Sequence, residues 1–217
     1  MKKTLALFAL LFTVAAHSQI LYKAKLTMAN GDIKEGYANI PSNSMLSGAI
    51  TFKPEKKGKG SKIKNDDVKQ AVFYSDNGNE YHFEHSNARN FLGKNELMQI
   101  KNGWFLVTYG NPHITVYNYG ASYYIDKEGS IVTKSFADGS WSEIFVGLKR
   151  DGEEVPTFIT SLTYGAMVGG QESRFRKAAK QYFTGEDKFI ERIENKEWEH
   201  EQVKEMAEAY SAYMAGK

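Results

Sequence analysis

Apolar and polar residues alternate along the first part of the chain with the period of two that marks β-strands. In the segment 22–28, Ala24 and Leu26 share one parity, while Lys23 and Lys25 share the other. Such alternation is typical of a strand with one buried face and one solvated face. The pattern predicts further strands over residues 33–40, 68–75, 80–85, 104–109, 113–119, 122–125, 131–136 and 141–149. The run 104–109 is apolar on both parities, which predicts a central strand covered on both sides.

Three Asn-Gly dipeptides interrupt this pattern, at Asn30-Gly31, Asn77-Gly78 and Asn102-Gly103. Both residue types tolerate a positive φ, which a type I′ hairpin turn requires at its two central positions. Each dipeptide therefore predicts a hairpin. The segment 126–129 instead predicts a type I turn closed by a left-handed glycine. Because no helical pattern separates the strands, the sequence predicts an antiparallel sandwich or a partly open barrel.

The apolar period changes from that of a strand to that of a helix near Gln171. Apolar residues at helical spacing predict a helix over about 171–183, a second helix after residues 184–187 and a third over about 198–214. These amphipathic helices need a surface to pack on, and the sheet is the expected one, with a second protein as the alternative. The predicted fold class is thus α+β and mainly β, with two or three C-terminal helices. The predicted organisation is a leader over 1–18, a β domain over 19–165 and a helical tail over 166–217.

The first eighteen residues have the features of a cleavable secretory leader. Lys2 and Lys3 precede an apolar stretch, and the small residues Ala16 and Ser18 occupy the positions before a predicted cut at Gln19. The apolar stretch is shorter than the roughly 20 residues needed to cross a bilayer as a helix. We therefore expect an exported and soluble mature protein. With no cysteine in the chain, its stability must come from a core and not from disulfides.

Charge composition bears on the class of partner. Removal of Lys2 and Lys3 from the 28 basic residues leaves 26, against 26 acidic residues. A net charge near zero argues against nucleic acid or an anionic surface as the main partner. The segment 53–62 is rich in Lys and Gly and has no apolar pattern. Its composition favours a solvated surface loop, with an electrostatic contact to phosphate or an anionic polysaccharide as the alternative.

Candidate chemistry is sparse. Strand alternation puts Glu80, His82 and Glu84 on one face, where they could hold a divalent ion or act as acid and base if they lined a cleft. The polar outer face of a hairpin explains the same residues and is the favoured interpretation. The sequence has neither a Gly-x-Ser-x-Gly elbow nor a cysteine nucleophile. No catalytic residue, cofactor or metal site is predicted.

An aromatic cluster is the remaining candidate for a ligand site. Aromatic side chains on a sheet can form a platform for sugars or line a cavity for a lipid-like ligand. Cross-strand tyrosine pairs are also ordinary stabilisers of sheets. The candidate ligand-binding residues are Trp104, Tyr117, Tyr119, Tyr123 and Tyr124.

Several segments together resemble uncharacterised exported proteins of the Bacteroidota. These are the leader end at 16–19, the hairpin 30–37, the strand 49–53, the helix 175–183 and the closing Tyr210. In that family a strand-rich part precedes a short helical tail. The resemblance implies a periplasmic or outer-membrane-associated setting, and it carries no activity with it.

The sequence as a whole predicts a non-enzymatic envelope protein that binds a small ligand or another protein. The setting is periplasmic, outer-membrane-associated or secreted, without a transmembrane segment in the mature chain and without nucleic acid as partner. One alternative is a hydrolase of envelope or environmental polymers that uses two carboxylates among Glu80, Glu84, Glu143 and Asp138. The other is a carrier of small hydrophobic ligands with a barrel interior lined by Tyr and Phe.

Overall fold

The structure is a computed structural model and describes residues 20–44, 47–92, 100–137, 142–164 and 170–217. The leader, Asp138 and most of the predicted junction between sheet and tail lie outside the described residues. The strands are β1 (Tyr22–Met28), β2 (Ile33–Ala38), β3 (Ala49–Lys53), β4 (Ser61–Lys64), β5 (Val68–Tyr74), β6 (Glu80–Asn90), β7 (Ile100–Gly110), β8 (Ile114–Tyr119), β9 (Ser122–Ile125), β10 (Ile131–Lys134), β11 (Phe136–Ala137), β12 (Ser142–Arg150) and β13 (Thr157–Tyr164). The helices are α1 (Gln171–Tyr182), α2 (Asp187–Glu194) and α3 (Val203–Ala215).

Eleven of the strands form one sheet in the order β11-β12-β8-β7-β6-β5-β1-β2-β3-β4, and β13 joins it beside β12. Strands β9 and β10 form a separate hairpin. The pairings are antiparallel except for a short parallel contact between β13 and β6. The prediction of a mainly β protein with an antiparallel sheet and C-terminal helices is therefore confirmed.

The sheet curls in its second half. Strands β6, β7, β8, β12 and β13 follow one another as neighbours, and β13 then meets the end of β6 through the pairs Thr157 with Arg89 and Phe158 with Asn90. Register shifts in β6–β7, β7–β8 and β12–β13 mark bulges, which increase the local twist of a sheet. Because the closing contact spans two residue pairs, the sheet is strongly curved without being a clear barrel.

Strand β7 separates two apolar cores. Trp104 and Leu106 point into a core that β1, β2, β3 and β5 share with the β9–β10 hairpin. Phe105 points to the other side, into the interior of the curl, where it meets Tyr117 and Phe158. All three residues of the run 104–106 are at most 2% exposed. The predicted coverage on both faces is confirmed for 104–106, whereas Thr108 in the same predicted run is exposed.

The three helices form a third core with the outer face of the curl. The sheet contributes Ile114 and Val116 from β8, Val146 and Leu148 from β12, and Ile159 from β13. The helices contribute the predicted stripes, whose buried members include Phe175, Ala178, Ala179, Phe189, Ile193, Val203, Met206, Ala207 and Tyr210. Packing on the sheet thus buries the amphipathic stripes that the sequence shows.

A polar contact fastens α1 to the turn between β12 and β13. The Tyr182 hydroxyl donates to Glu153 Oε2 at 2.6 Å and accepts from the Arg150 backbone N–H at 2.9 Å. The Arg150 guanidinium lies 4.9 Å from the centroid of the Tyr182 ring. Burial and the Glu153 carboxylate raise the pKa of Tyr182, which keeps the hydroxyl protonated as a donor.

Two predicted hairpins form with a different turn from the one expected. At Asn30-Gly31 and Asn77-Gly78 the glycine alone has a positive φ, of 91° and 90°. The Gly31 and Gly78 N–H groups donate to the carbonyls three residues earlier, as in a type I turn followed by a left-handed residue. Three- to five-residue hairpin loops use this arrangement, so the type I′ prediction is wrong at both places. The type I turn predicted at 126–129 is confirmed, with Gly129 at φ 79°.

The third dipeptide, Asn102-Gly103, is not a hairpin turn. It lies inside β7, where two residues of β7 oppose the single residue Asn87 of β6. Asn102 takes the positive φ of 53°, and its N–H donates to the Asn87 side chain at 3.1 Å. The prediction failed because a left-handed Asn serves a β-bulge as well as it serves a hairpin turn.

Gly103 fits beside this bulge because it has no side chain. A Cβ atom at this position would lie 2.9 Å from both Phe105 Cζ and Tyr119 Cε2. Phe105 is fully buried, so its ring has little freedom to move away. We expect Gly103→Ala to lower the free energy of unfolding by about 2 kcal/mol, measured by urea denaturation. Gly48→Ala is the control, since a Cβ there meets nothing within 4 Å, and equal stabilities of the two variants would contradict the packing argument.

The Tyr182 contact provides a second test of the fold. Tyr182→Phe removes the hydroxyl and leaves the Arg150 N–H and the Glu153 carboxylate short of one partner each. We expect a loss of about 1–2 kcal/mol in the free energy of unfolding. Tyr124→Phe, at a side chain that is 37% exposed, should change stability by less than about 0.5 kcal/mol. A Tyr182→Phe variant as stable as the wild type would show that the tail does not depend on this contact.

Candidate functional site

A groove of about 430 Å³ opens on the face of the sheet where the curl begins. Its wall is formed by β5, β6, β7 and the turn between β7 and β8. The lining is mixed in polarity and consists of Gln70, Ala71, Val72, His82, Phe83, Glu84, Val107, Gly110, Asn111, Pro112 and Thr115. The volume lies within the roughly 300–1,000 Å³ of small-molecule sites. This groove is the best candidate for a functional site among the described residues.

A polar cluster stands between the groove and the apolar interior of the curl. Glu84 lines the groove, and its Oε2 atom accepts from Lys149 Nζ at 2.7 Å and from the Tyr117 hydroxyl at 3.0 Å. The register places these side chains on one face of β6, β8 and β12, because Gly147, two residues before Lys149, pairs with Tyr117. Lys149 also lies 5.2 Å from the centroid of the Tyr117 ring. The cluster therefore places charged groups at one end of the interior, and one of them, Glu84, lines the groove.

The electrostatics of the cluster are those of a fixed ion pair. The Glu84 and Lys149 side chains are 24% and 22% exposed, so solvent screens their attraction in part. Burial, followed by the charge and hydrogen bond of Glu84, raises the pKa of Tyr117. Tyr117 is thus a neutral donor at ordinary pH. A carboxylate already bound by a lysine and a phenol is suited to orienting a ligand and poorly suited to abstracting a proton.

The five aromatic residues predicted as a ligand site do not form one surface. Trp104 and Tyr117 are fully buried, and Tyr123 is 6% exposed. Tyr119 is half-buried among aromatic rings, with Phe105 and Phe136 each at 5.2 Å. Tyr124 is exposed and has Lys134 Nζ at 5.2 Å from its ring. These rings serve mainly as core, because both faces of β7 and β8 are covered. The sequence pattern predicted such coverage for β7 and did not decide it for β8.

The predicted trio Glu80, His82 and Glu84 is divided between two environments. Glu80 and His82 are more than half exposed, and their side chains approach to 3.4 Å. Glu84 instead belongs to the cluster with Lys149. Among the described residues, no group of three or more His, Cys, Asp or Glu side chains is placed as metal ligands would be.

The carboxylates named for a hydrolase are not paired across the groove. Glu143 precedes Lys149 by six positions on β12, a separation of about 20 Å along a strand. It lines a small cavity of about 40 Å³ with Arg174 and Gln171, away from the groove. Asp138 lies outside the described residues. Among the described carboxylates named for a hydrolase, Glu84 therefore lines the groove without a second one opposite it.

Sequence reasoning missed Lys149 and the groove residues Gln70, Asn111 and Thr115. Lys149 could have been found from the sequence, because it is a charged residue on a strand that is apolar on both faces. It lies on the same face of that strand as Phe145 and Gly147. The three groove residues carry no such signal. They are ordinary polar residues of strands and turns, and they line the groove only because the fold brings distant segments of the chain together.

Comparison with models of protein families, with curated proteins and with solved structures gives no match to this chain. The geometry of the groove is therefore the evidence for function. None of the helices in the described ranges has both the length and the apolar character needed to cross a bilayer.

The ion pair can be tested apart from any ligand. Lys149→Met leaves the partly buried Glu84 carboxylate without its cation, and we expect a loss of about 2 kcal/mol in the free energy of unfolding. The double variant with Glu84→Gln should lose less than the sum of the two single changes, as measured by a double-mutant cycle in urea. Strict additivity of the two changes would contradict the interaction.

Proposed function

We propose that this protein is an exported, non-enzymatic binding module of the cell envelope that holds a small polar ligand in the groove beside Glu84. The single observation that carries the proposal is the arrangement of Glu84, which lines an open groove and is fixed from behind by Lys149 and Tyr117. A carboxylate held in this way is a preorganised acceptor, and preorganisation lowers the entropic cost of binding.

The groove chemistry suits a ligand with hydroxyl or amide groups and little charge. Acceptors and donors are supplied by Glu84, His82, Gln70, Asn111 and Thr115. Apolar surface lies between them on Val72, Val107 and Pro112. Specific small-molecule sites combine apolar walls with a few placed polar groups, as this groove does. Sugars and short uncharged peptides fit that description.

The two alternatives have less support. A hydrolase acting through paired carboxylates needs two such groups about 5–10 Å apart, and neither Glu80 nor Glu143 lines the groove with Glu84. A carrier of hydrophobic ligands needs an enclosed interior, and the curl is filled by rings, with Phe158 at 5.9 Å from Phe105 and 5.5 Å from Phe145. An open groove on the sheet face is the better candidate for a binding site.

The location in the envelope rests on the leader-like residues 1–18 and on the resemblance to exported Bacteroidota proteins. Neither is part of the described structure. N-terminal sequencing of protein recovered from a fractionated Gram-negative host tests both points. A mature chain that begins at Gln19 in the periplasmic or membrane fraction is expected, and an uncleaved chain in the cytoplasm would contradict the location.

The groove can be tested with a library of mono- and disaccharides and uncharged tripeptides. We expect at least one class to shift the backbone amide NMR signals of groove residues. Thr115→Trp, which fills the groove, should weaken that binding by about tenfold or more, a change of about 1.4 kcal/mol. Thr163→Trp is the matched control, because Thr163 is also a half-exposed strand residue and lies outside the groove.

Two results would contradict the proposed function. One is a library in which no member shifts the groove amides, or in which Thr115→Trp and Thr163→Trp bind equally well. The other is turnover of glycoside, ester or peptide substrates that Glu84→Gln abolishes, since this would make Glu84 catalytic.

A further inference from the structure

A basic surface covers the solvent-facing side of the first four strands. The register brings Lys53 of β3 beside Tyr37 of β2, Tyr37 beside Lys23 of β1, and Lys23 beside Tyr74 of β5. Lysine and tyrosine therefore alternate in one row across four strands. We call this surface the basic face and define it by Lys23, Lys25, Lys53, Lys62, Lys64, Tyr37 and Tyr74. The same side of the sheet also carries Glu35, opposite Lys25, and Glu80, opposite Tyr74 at its border. The turn between β3 and β4 adds Lys56, Lys57 and Lys59 beside it.

Charge is strongly segregated along the chain. Residues 20–64, which include β1 to β4, contain nine basic and three acidic residues, a net charge of +6. Residues 65–217 contain 17 basic and 23 acidic residues, a net charge of −6. The near-zero total of the mature chain thus hides two regions of opposite sign. A field of this kind attracts a partner to one part of a protein.

Ion pairing and edge protection do not account for the basic face. Within the described ranges, none of its lysines forms an ion pair with a carboxylate within 4.0 Å. Lysines on an edge strand such as β4 can serve to prevent aggregation. Lys23, Lys25 and Lys53 are on inner strands of the sheet, where no edge needs protection. Their concentration therefore calls for a ligand.

The tyrosines of the basic face bear on the ligand class. Lys23 Nζ lies 5.7 Å from the centroid of the Tyr74 ring. Tyr37 and Tyr74 are half-exposed, so part of each ring is open to solvent between the cations. Aromatic rings offer apolar contact area to flat, ring-shaped groups. A matching ligand carries repeated negative charges on a chain of rings.

We propose that the basic face binds an anionic polysaccharide, a chain of sugar rings that carries carboxylate or sulfate groups. Lys23 and Lys53 are separated by two strand spacings, about 10 Å, which suits charges spaced along a glycan. Nucleic acid is disfavoured because the phosphates of one strand follow at about 3.4 Å along its axis, much closer than the roughly 10 Å between these lysines. The proposal goes beyond the groove, since it involves β1 to β4, Tyr74 at the end of β5, and charged ligands.

The test measures binding of the full-length mature protein to polygalacturonate, dextran sulfate, neutral dextran and single-stranded DNA by calorimetry. We expect binding to a carboxylated or sulfated chain, none to neutral dextran, and weaker binding at higher salt. The two charged probes distinguish carboxylate from sulfate as the preferred group. Changing Lys23, Lys25, Lys53 and Lys62 together to Gln should weaken binding by about tenfold or more.

A matched control separates the basic face from net charge. Changing Lys101, Lys127, Lys177 and Lys188 to Gln alters the total charge equally, and these exposed residues lie elsewhere on the protein. The control variant should bind within about twofold of the wild type. Circular dichroism and thermal unfolding of both variants show whether each is folded. If the basic-face variant unfolds, Lys23→Gln with Lys53→Gln alone replaces it.

A tyrosine variant tests the contribution of the ring. Tyr37→Leu should weaken binding to the polysaccharide by about threefold or more and leave binding to inorganic polyphosphate unchanged. The proposal is overturned by equal losses in the two lysine variants, by DNA binding as tight as polysaccharide binding, or by no binding to either charged glycan. The groove test uses uncharged probes and Thr115→Trp, so either hypothesis can fail without the other.

Discussion

The structure depends on one constraint, the burial of β7 on both faces. Trp104, Phe105 and Leu106 are consecutive and almost fully buried, and successive side chains of a strand point to opposite sides. Apolar groups must therefore cover the sheet above and below this strand. The N-terminal strands and the β9–β10 hairpin supply one cover, and the curl of the sheet onto itself supplies the other. Asn43 completes the arrangement by bonding to both the N–H and the carbonyl of Trp104, at 2.8 and 2.9 Å.

The curl also determines where polar chemistry can occur. Its interior is filled by aromatic rings, so a buried hydroxyl such as that of Tyr117 needs a partner at the end of the interior. Glu84, itself bound by Lys149, supplies that partner where the sheet opens into the groove. The candidate site is thus a consequence of the fold, because an apolar interior with a phenol at its end needs a polar boundary. A groove lined by that boundary offers fixed polar groups to a ligand.

Local patterns predicted the elements far better than they predicted the contacts between them. Alternation predicted β1, β5 and β8 to within one or two residues, and helical spacing predicted α1 and α2. These predictions succeed because an element with one buried face has apolar residues at a regular spacing in the sequence. The closure of β13 onto β6 joins residues about 70 positions apart. A contact of this kind produces no regular apolar spacing within a short segment of the sequence. The same limit explains why the sequence leaves Tyr117 open between a ligand platform and the core, and why it gives no role to Lys149. Both depend on strands that are distant in sequence and adjacent in space.

The order of the strands explains why a nearly neutral chain can carry a strongly basic surface. Net charge sums over the whole molecule, whereas a ligand meets one face of it. The lysine-rich strands β1 to β4 lie together at one end of the sheet order, and the acidic excess lies in the rest of the chain, where residues 65–217 contain 23 acidic and 17 basic residues. Opposite charges that balance in the composition are thereby kept apart in space. An argument from total charge against an anionic partner consequently loses its force once the topology is known.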